Sequence, residues 1–208
     1  WKTLFGERAP VSEACRGVLT VLSKLGLDVG ARDLKSYRKY FADQKPEDYV
    51  DTVFKVSNVH TVVMTNDALD PVEREIWLKE PSVDPRFKTV LRIDPILQGW
   101  PKVADTLKGY GYNASASLDG QTMKEVRRFV EDWINRLGPL YVAVSLTPDW
   151  RYPDDSPTTK VIKEVILPVT RERNIPFAMM IGVTRQVNPH LKLAGDAVAK
   201  SDIGSVHR

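Results

Sequence analysis

Val90-Leu91-Arg92-Ile93-Asp94-Pro95 is the most informative stretch of this sequence. Apolar residues that favour strands lead into an arginine, an aspartate and a proline that stops the strand. An apolar run that ends in charged residues is typical of a buried parallel strand, which carries its polar groups at its C-terminal end. Ligands bind at that end of the strands in α/β folds. Arg92 and Asp94 are therefore the first candidates for a binding site.

Arg92 carries a permanently charged, forked group that can hold a carboxylate in two parallel hydrogen bonds. Asp94 would then orient that fork or act on a substrate hydroxyl. The alternative is an Arg–Asp pair that ties one strand to its neighbour. The residues alone leave both interpretations open.

Similar apolar runs lie on both sides of this stretch, and helical patterns separate them. Strands are predicted over residues 59–65, 87–93, 140–146 and 175–183, and helices over 70–79, 100–110, 121–137 and 157–173, with a kink or break at Pro168. Strands that alternate with helices predict βα units and a parallel sheet. Four units fit half of an eight-stranded barrel or most of a doubly wound sheet. The first strand is followed by the sequence TNDALD (65–70) and not by a glycine-rich phosphate turn, which favours the half-barrel.

Residues 1–56 contain helical patterns and no predicted strand, which indicates a separate helical subdomain. Ser12 is a plausible N-cap for the first helix, residues 33–41 form the second, and Pro46 begins the third. Residues 110–120 lie between two predicted helices and are predicted to be a mobile surface loop.

Composition places the chain among ordinary globular proteins, with 42% hydrophobic and 27% charged residues over 208 positions. The net charge is +3 and no basic run is interleaved with aromatic residues, so no nucleic-acid partner is expected. No apolar run reaches the roughly 18–20 residues of a membrane span. The single cysteine, Cys15, excludes an internal disulfide and agrees with a cytoplasmic protein. Cys15 lies in an apolar helical pattern, which predicts a buried, unreactive thiol.

Several polar residues lie at the ends of the predicted strands: Thr65, Asn66, Asp67, Arg92, Asp94, Ser145, Thr184 and Arg185. We expect Asp67 to cap the following helix rather than to bind a metal or a hydroxyl. Ser145 lacks a Gly-x-Ser-x-Gly turn, so it is not expected to be a nucleophile. The chain has no His-x-His, His-Glu-x-x-His or Cys-x-x-Cys spacing, and no metal site is predicted within it. These residues indicate a half-barrel that binds a sugar or an acid, but they specify no reaction.

Five segments together carry a family resemblance. They are SEACRGVLT (12–20), VVMTND (62–67), LRIDP (91–95), VAVSL (142–146) and IPFAMMIGV (175–183). In this order the chain resembles the uronate isomerases of the amidohydrolase superfamily, and within them a divergent bacterial branch. Because the sequence opens on Trp1, we expect it to be an internal segment of a longer protein.

The resemblance implies an α/β fold that is part of a (β/α)8 TIM barrel, about strands 2–5, with a helical insertion subdomain. Residues 1–56 would be that insertion, and residues 57–208 the partial barrel. It also implies an enzyme that interconverts D-glucuronate and D-fructuronate, or D-galacturonate and D-tagaturonate. The reaction moves a proton between C2 and C1 through an enediol, near a divalent metal that is usually zinc.

The resemblance assigns the substrate carboxylate to Arg92. Asp94, Thr65 and Asn66 are further candidates for the substrate pocket, and Arg185 is a second candidate for the anion. The family's His-x-His, the tyrosine that follows it, and the aspartate and arginine of the last strand have no counterpart within residues 1–208. Many of these enzymes carry a histidine where this sequence has Met180, which removes one candidate metal ligand.

Two other functions stay open from the sequence. One is a metal-dependent hydrolase of the same superfamily, since one fold hosts many reactions. The other is a non-catalytic segment that binds carboxylates. In each case the expected partner is a small molecule, and a homo-oligomer stays open.

Overall fold

The structure is a computed structural model, and it describes residues 1–198. The chain divides into two compact units between Thr61 and Val62. That division lies five residues beyond the end of the predicted 1–56 subdomain. The roles of the two parts, as an insertion and a partial barrel, stay predictions.

The first unit is helical. A π-helical turn, Lys2–Glu7, precedes α1 (Glu13–Lys24), α2 (Leu34–Ala42) and α3 (Pro46–Ser57). The predicted starts are confirmed, because Ser12 caps α1 by accepting a hydrogen bond from Cys15 N at 3.3 Å and Pro46 occupies the first turn of α3.

The buried apolar side chains of this unit come from all four of its helical segments. These side chains are Phe5, Cys15, Leu22, Tyr37 and Phe54. Cys15 is 5% exposed, so the prediction of a buried thiol is confirmed.

The second unit is built on four parallel strands in the order β1-β2-β3-β4. The strands are β1 (Val62–Asp67), β2 (Phe87–Arg92), β3 (Val142–Leu146) and β4 (Phe177–Ile181). The predicted α/β fold with successive βα units is confirmed. The strand order follows the chain order, as in an arc of a barrel, whereas a doubly wound sheet reverses direction. The sheet is not closed within the described residues.

Helices connect successive strands and cover one face of the sheet. They are α4 (Pro71–Leu78), α5 (Asp94–Gln98), α6 (Lys102–Gly109), α7 (Gly120–Leu137), α8 (Pro157–Val161) and α9 (Leu167–Glu172). A π-helical turn, Ile162–Ile166, lies between α8 and α9, so the helical backbone continues through Pro168 and only its hydrogen-bonding pattern changes before the proline. No helix among residues 1–198 is both long enough and apolar enough to cross a membrane.

The strand register assigns each side chain to a face, because side chains alternate along a strand. Leu91 pairs with Val142, and both belong to the core formed with the helices. Arg92 pairs with Asp67 on one side and Ala143 on the other, so these residues share the opposite face. We call this opposite face the inner face; it carries Val63, Thr65, Asp67, Val90, Arg92, Ala143, Ser145, Ala178 and Met180.

Helix α7 supplies much of the core on the helix side. Its apolar positions recur at helical spacing and are buried: Met123, Val126, Phe129, Val130, Trp133, Ile134 and Leu137. Thr89 of β2 donates its hydroxyl to the carbonyl of Leu137 at 2.8 Å, which fixes the end of the helix against the sheet.

Several sequence predictions are wrong in detail. The first strand begins at Val62 and ends at Asp67, whereas residues 59–65 were expected. Residues 110–120 are not simply a surface loop, since Tyr112 is 6% and Ala114 5% exposed. The last strand ends at Ile181, and a short antiparallel pair, β5 (Val183–Thr184) with β6 (Ala197–Val198), follows it.

Candidate functional site

Arg92 is the last residue of β2, and Asp94 follows it at the start of α5. Arg92 donates from Nε to Asp94 Oδ2 at 2.7 Å and from Nη2 to Asp94 Oδ1 at 2.6 Å. This is a two-bond fork between side chains that are 22% and 19% exposed. The hydrogen bonds to Asp94 raise the pKa of Arg92, so the guanidinium keeps its charge throughout the physiological range.

Ser145 of β3 joins this pair from the neighbouring strand. Its hydroxyl accepts a hydrogen bond from Arg92 Nη2 at 3.0 Å, and its backbone N–H donates to Asp94 Oδ1 at 2.9 Å. Gln98 of α5 donates its side-chain amide to the carbonyl of Ser145. The Arg92–Asp94 pair therefore ties β2 to β3, which was the alternative role left open by the sequence. The same contacts hold the guanidinium in one orientation on the inner face.

The donors of Arg92 decide how it can bind an anion. Nε and one N–H of Nη2 are occupied by Asp94, and the other N–H of Nη2 by Ser145. Among residues 1–198, no acceptor is hydrogen-bonded to Nη1. The side-on edge of the guanidinium is therefore already filled by Asp94, and an incoming carboxylate must approach the edge that carries Nη1.

Asp67 lies beside Arg92 in the strand register and adds a second carboxyl to the inner face. Burial raises the pKa of Asp67, and the nearby carboxylates of Glu73 and Asp94 add to the shift. The prediction that Asp67 caps the next helix is wrong. Its Oδ1 accepts a hydrogen bond from Leu69 N at 2.9 Å, within the turn that precedes the helix.

The cap of α4 is instead Asp70. Its Oδ1 accepts hydrogen bonds from Val72 N at 3.0 Å and from Glu73 N at 2.8 Å. Asp67 is thus free of the capping role and remains at the strand end, next to the guanidinium. There it is placed to accept a hydrogen bond from a hydroxyl group.

Thr65 and Asn66 point to opposite faces because they are adjacent in β1. Thr65 is exposed on the inner face, two residues before Asp67. Asn66 is buried on the helix side, where its Nδ2 donates to Glu73 Oε1 at 2.6 Å. The structure therefore brings Thr65, but not Asn66, to the face that carries Arg92.

Arg185, the second candidate for the anion, pairs elsewhere. It follows β5, and its Nη1 donates to Asp196 Oδ2 at 2.6 Å in the hairpin after β4. Met180 is the register partner of Ser145 on the inner face and is 41% exposed. A thioether there supplies no ligand for a divalent zinc ion comparable to histidine.

Sequence reasoning rejected Ser145 as a nucleophile and gave it no other role. A role in binding could have been predicted from the sequence, because Ser145 interrupts the apolar run VAVSL at the C-terminal end of a strand, where ligands bind in α/β folds. Within residues 1–198, no group of three or more His, Cys, Asp or Glu side chains is placed to hold a metal ion. His207, whose spacing in the sequence matches no metal motif, lies outside the described residues.

Proteins similar to this chain are found among solved structures. No protein-family model and no curated protein sequence matches the chain. Among solved structures, the uronate isomerase from Bacillus halodurans C-125 matches 99% of this chain, at 47% sequence identity and a TM-score of 0.92. The chain is similar to one half of a uronate isomerase. The resemblance to uronate isomerases that was inferred from the sequence motifs is therefore confirmed.

The matched part is 49% of that enzyme, so the chain spans about half the length of this relative. Two further structures share the fold at low identity. The glucuronate isomerase from Caulobacter crescentus is 12% identical over 74% of this chain and 38% of its own, with a TM-score of 0.50. The uronate isomerase from Thermotoga maritima is 14% identical over 73% of this chain and 40% of its own, also with a TM-score of 0.50.

Proposed function

We propose that this chain is the substrate-carboxylate half of a uronate isomerase, and we call the longer protein that contains it the parent protein. The observation that carries the proposal is the fixed guanidinium of Arg92 at a strand end, in a chain 47% identical to a uronate isomerase. A uronate carries its carboxylate at C6, far from the reacting C1 and C2. An anchor for that carboxylate positions the reacting end without taking part in the chemistry.

The proposed reaction interconverts an aldose and a ketose. D-Glucuronate and D-fructuronate form one substrate pair, and D-galacturonate and D-tagaturonate form the other. A proton is removed from C2 and a proton is added at C1, while the hydroxyl proton of O2 is lost and O1 gains one, so the carbonyl moves from C1 to C2 with no net change in oxidation state. Arg92 binds the carboxylate, and Asp94 orients Arg92. Asp67 and Thr65 are placed on the same face to contact sugar hydroxyls.

A divalent metal, with zinc as the first candidate, belongs to this proposal as part of the parent protein. The described residues do not fit a metal site, since no ligand cluster occurs among residues 1–198. We assign the metal ligands and the groups that transfer the proton to the rest of the parent protein. We also place the parent protein in the amidohydrolase superfamily and in the cytoplasm, and expect a small uronate as its partner.

The inner face supports the assignment of this chain to one half of a barrel. Val63 is 45% and Met180 41% exposed there, although both are large apolar side chains in strands. An uncovered apolar sheet face is unfavourable for a module that acts alone. This observation favours the isomerase over a non-catalytic segment that binds carboxylates.

Proton NMR of each uronate in D2O tests the proposal, because isomerisation changes the sugar resonances and a released proton exchanges with solvent. The parent protein should convert D-glucuronate or D-galacturonate to its ketose. The isolated segment of residues 1–208 should produce no ketose. Hydrolysis of esters or lactones by the parent protein, without isomerisation, would instead favour a metal-dependent hydrolase.

A further inference from the structure

Ser145 lies beside the end-on edge of the Arg92 guanidinium, where Nη1 has no hydrogen-bond acceptor among residues 1–198. The side-on edge of the guanidinium, formed by Nε and Nη2, is filled by Asp94. The end-on edge carries one N–H of Nη1 and one N–H of Nη2. The Nη2 group donates to the hydroxyl oxygen of Ser145, with 3.0 Å between Nη2 and Oγ. A carboxylate that approaches the end-on edge therefore meets Nη1 and the hydroxyl of Ser145 together.

The hydroxyl of Ser145 still has a proton to donate. A serine hydroxyl can accept two hydrogen bonds and donate one. Here Oγ accepts from Arg92 Nη2, and its own O–H is hydrogen-bonded to no acceptor among residues 1–198, so it can turn toward an anion. The backbone contacts to Asp94 and Gln98 fix the position of Ser145 without using that proton.

We propose that Ser145 and Arg92 bind the uronate carboxylate jointly, with one carboxylate oxygen on each. One oxygen accepts from Arg92 Nη1, and the other accepts the proton of the Ser145 hydroxyl, which itself accepts from Nη2. The hydrogen bonds close into a ring through both residues, so every donor of this edge has an acceptor. This inference rests on the proposed function and names a second side chain of the same anion site.

Charge favours this arrangement over direct binding to Arg92 alone. Asp94 already pairs with the guanidinium, and Asp67 adds a carboxyl beside it in the register. A neutral hydroxyl that is itself polarised by Nη2 gives the incoming anion a further donor without another cation. Met180, the register partner of Ser145, is 41% exposed, so the inner face is open to a ligand at this position.

A matched pair of variants isolates the hydroxyl. Ser145→Thr keeps it, and Ser145→Val has the same branched shape without it, so both variants share any change in packing. Kinetics of the parent protein with D-glucuronate should give a KM at least about tenfold higher for Ser145→Val than for Ser145→Thr. The kcat of the two variants should agree within about twofold, because an anchor remote from C1 and C2 contributes uniform binding. Ser23→Ala, an exposed serine of α1, is the control and should leave KM unchanged.

The outcomes separate this inference from the proposed function. A wild-type parent protein that isomerises no uronate overturns the proposed function, and the inference with it. An active parent protein whose two Ser145 variants share one KM overturns the inference alone. A crystal structure with D-glucuronate gives a second test, in which Ser145 Oγ should lie about 2.5–3.0 Å from one carboxylate oxygen. A carboxylate seated on both Nη atoms, out of reach of Oγ, would contradict it.

Discussion

Replacing Asp94 with asparagine changes one acceptor atom at the centre of the site. Asp94 accepts three hydrogen bonds, from Arg92 Nε at 2.7 Å, from Arg92 Nη2 at 2.6 Å and from Ser145 N at 2.9 Å. An asparagine side chain has a single acceptor oxygen. If that oxygen takes the place of Oδ1, the new NH2 group faces Arg92 Nε–H, which loses its acceptor. If the oxygen takes the place of Oδ2, the NH2 group faces Arg92 Nη2 and Ser145 N, and both of these donors lose their acceptor. At least one donor therefore loses its acceptor in either orientation.

The size of the effect follows from the burial of the pair. Hydrogen bonds to charged groups contribute about 1.5–3 kcal/mol each, and the side chains of Arg92 and Asp94 are 22% and 19% exposed. Asp94→Asn should therefore lower the free energy of unfolding by about 2 kcal/mol. The guanidinium should also lose its fixed orientation, so the KM for D-glucuronate should rise in the parent protein.

Urea-induced unfolding of the parent protein, followed together with its KM for D-glucuronate, measures both effects. Asp43→Asn is the matched control, because Asp43 forms an ion pair with Lys39 at 2.7 Å but its side chain is 58% exposed. That control should leave the free energy of unfolding nearly unchanged, because solvent screens this exposed pair. If Asp94→Asn behaves like the control in both measurements, the fork does not hold Arg92 and the reasoning fails.

Two further predictions concern the helix side of the sheet. Phe129 is 1% exposed, and its ring packs edge to face on Tyr112 with 5.2 Å between the ring centroids. Phe129→Ala should therefore lower the free energy of unfolding in urea by about 3–5 kcal/mol, and Phe41→Ala, at a residue that is 39% exposed, should lower it far less. Equal losses of stability would contradict the described core. Burial, and next a hydrogen bond to Asp132, raise the pKa of Tyr112 to about 12. Because this pKa lies above the value of about 10 for an unfolded tyrosine, the stabilisation is complete below about pH 10 and is lost as the pH rises toward 12. Tyr112→Phe should flatten the fall in stability over that window, and an unchanged slope would refute the assignment.

The sequence was sufficient for elements with a long or clear pattern. Helix α7 was predicted because its apolar residues recur at helical spacing over 18 residues. Strand β2 was predicted because an apolar run ends abruptly in Arg92 and Asp94. Both elements pack as their patterns require, and together they fix where the strand end and its charges lie.

Other features depend on contacts that no local pattern contains. The first strand was predicted to end at Thr65, but it continues through Asn66 to Asp67. Because adjacent strand residues face opposite ways, Asn66 points to the helices and not to the face that carries Arg92. Helix α5 has only five residues, and its Pro95 was interpreted solely as a strand stop. Tyr112 lies in an irregular segment, and its burial against α7 depends on tertiary packing alone.

The fork between Arg92 and Asp94 shows why the candidate site could be predicted only in part. Both residues were identified from the sequence, and so were the two competing roles for the pair. The distances show that Asp94 occupies the side-on edge of Arg92, which moves the expected carboxylate to the other edge. Ser145 became a candidate only when the register placed it beside that edge.

The central claim is that Arg92 anchors the carboxylate of a uronate in an isomerase. The most direct measurement is kcat/KM for D-glucuronate with the parent protein and its Arg92→Met variant, which keeps a long side chain and removes the charge. The account predicts a raised KM and a kcat/KM at least about tenfold lower, since at least one charged hydrogen bond to the substrate is lost. An unchanged kcat/KM would remove Arg92 from the site and contradict the account.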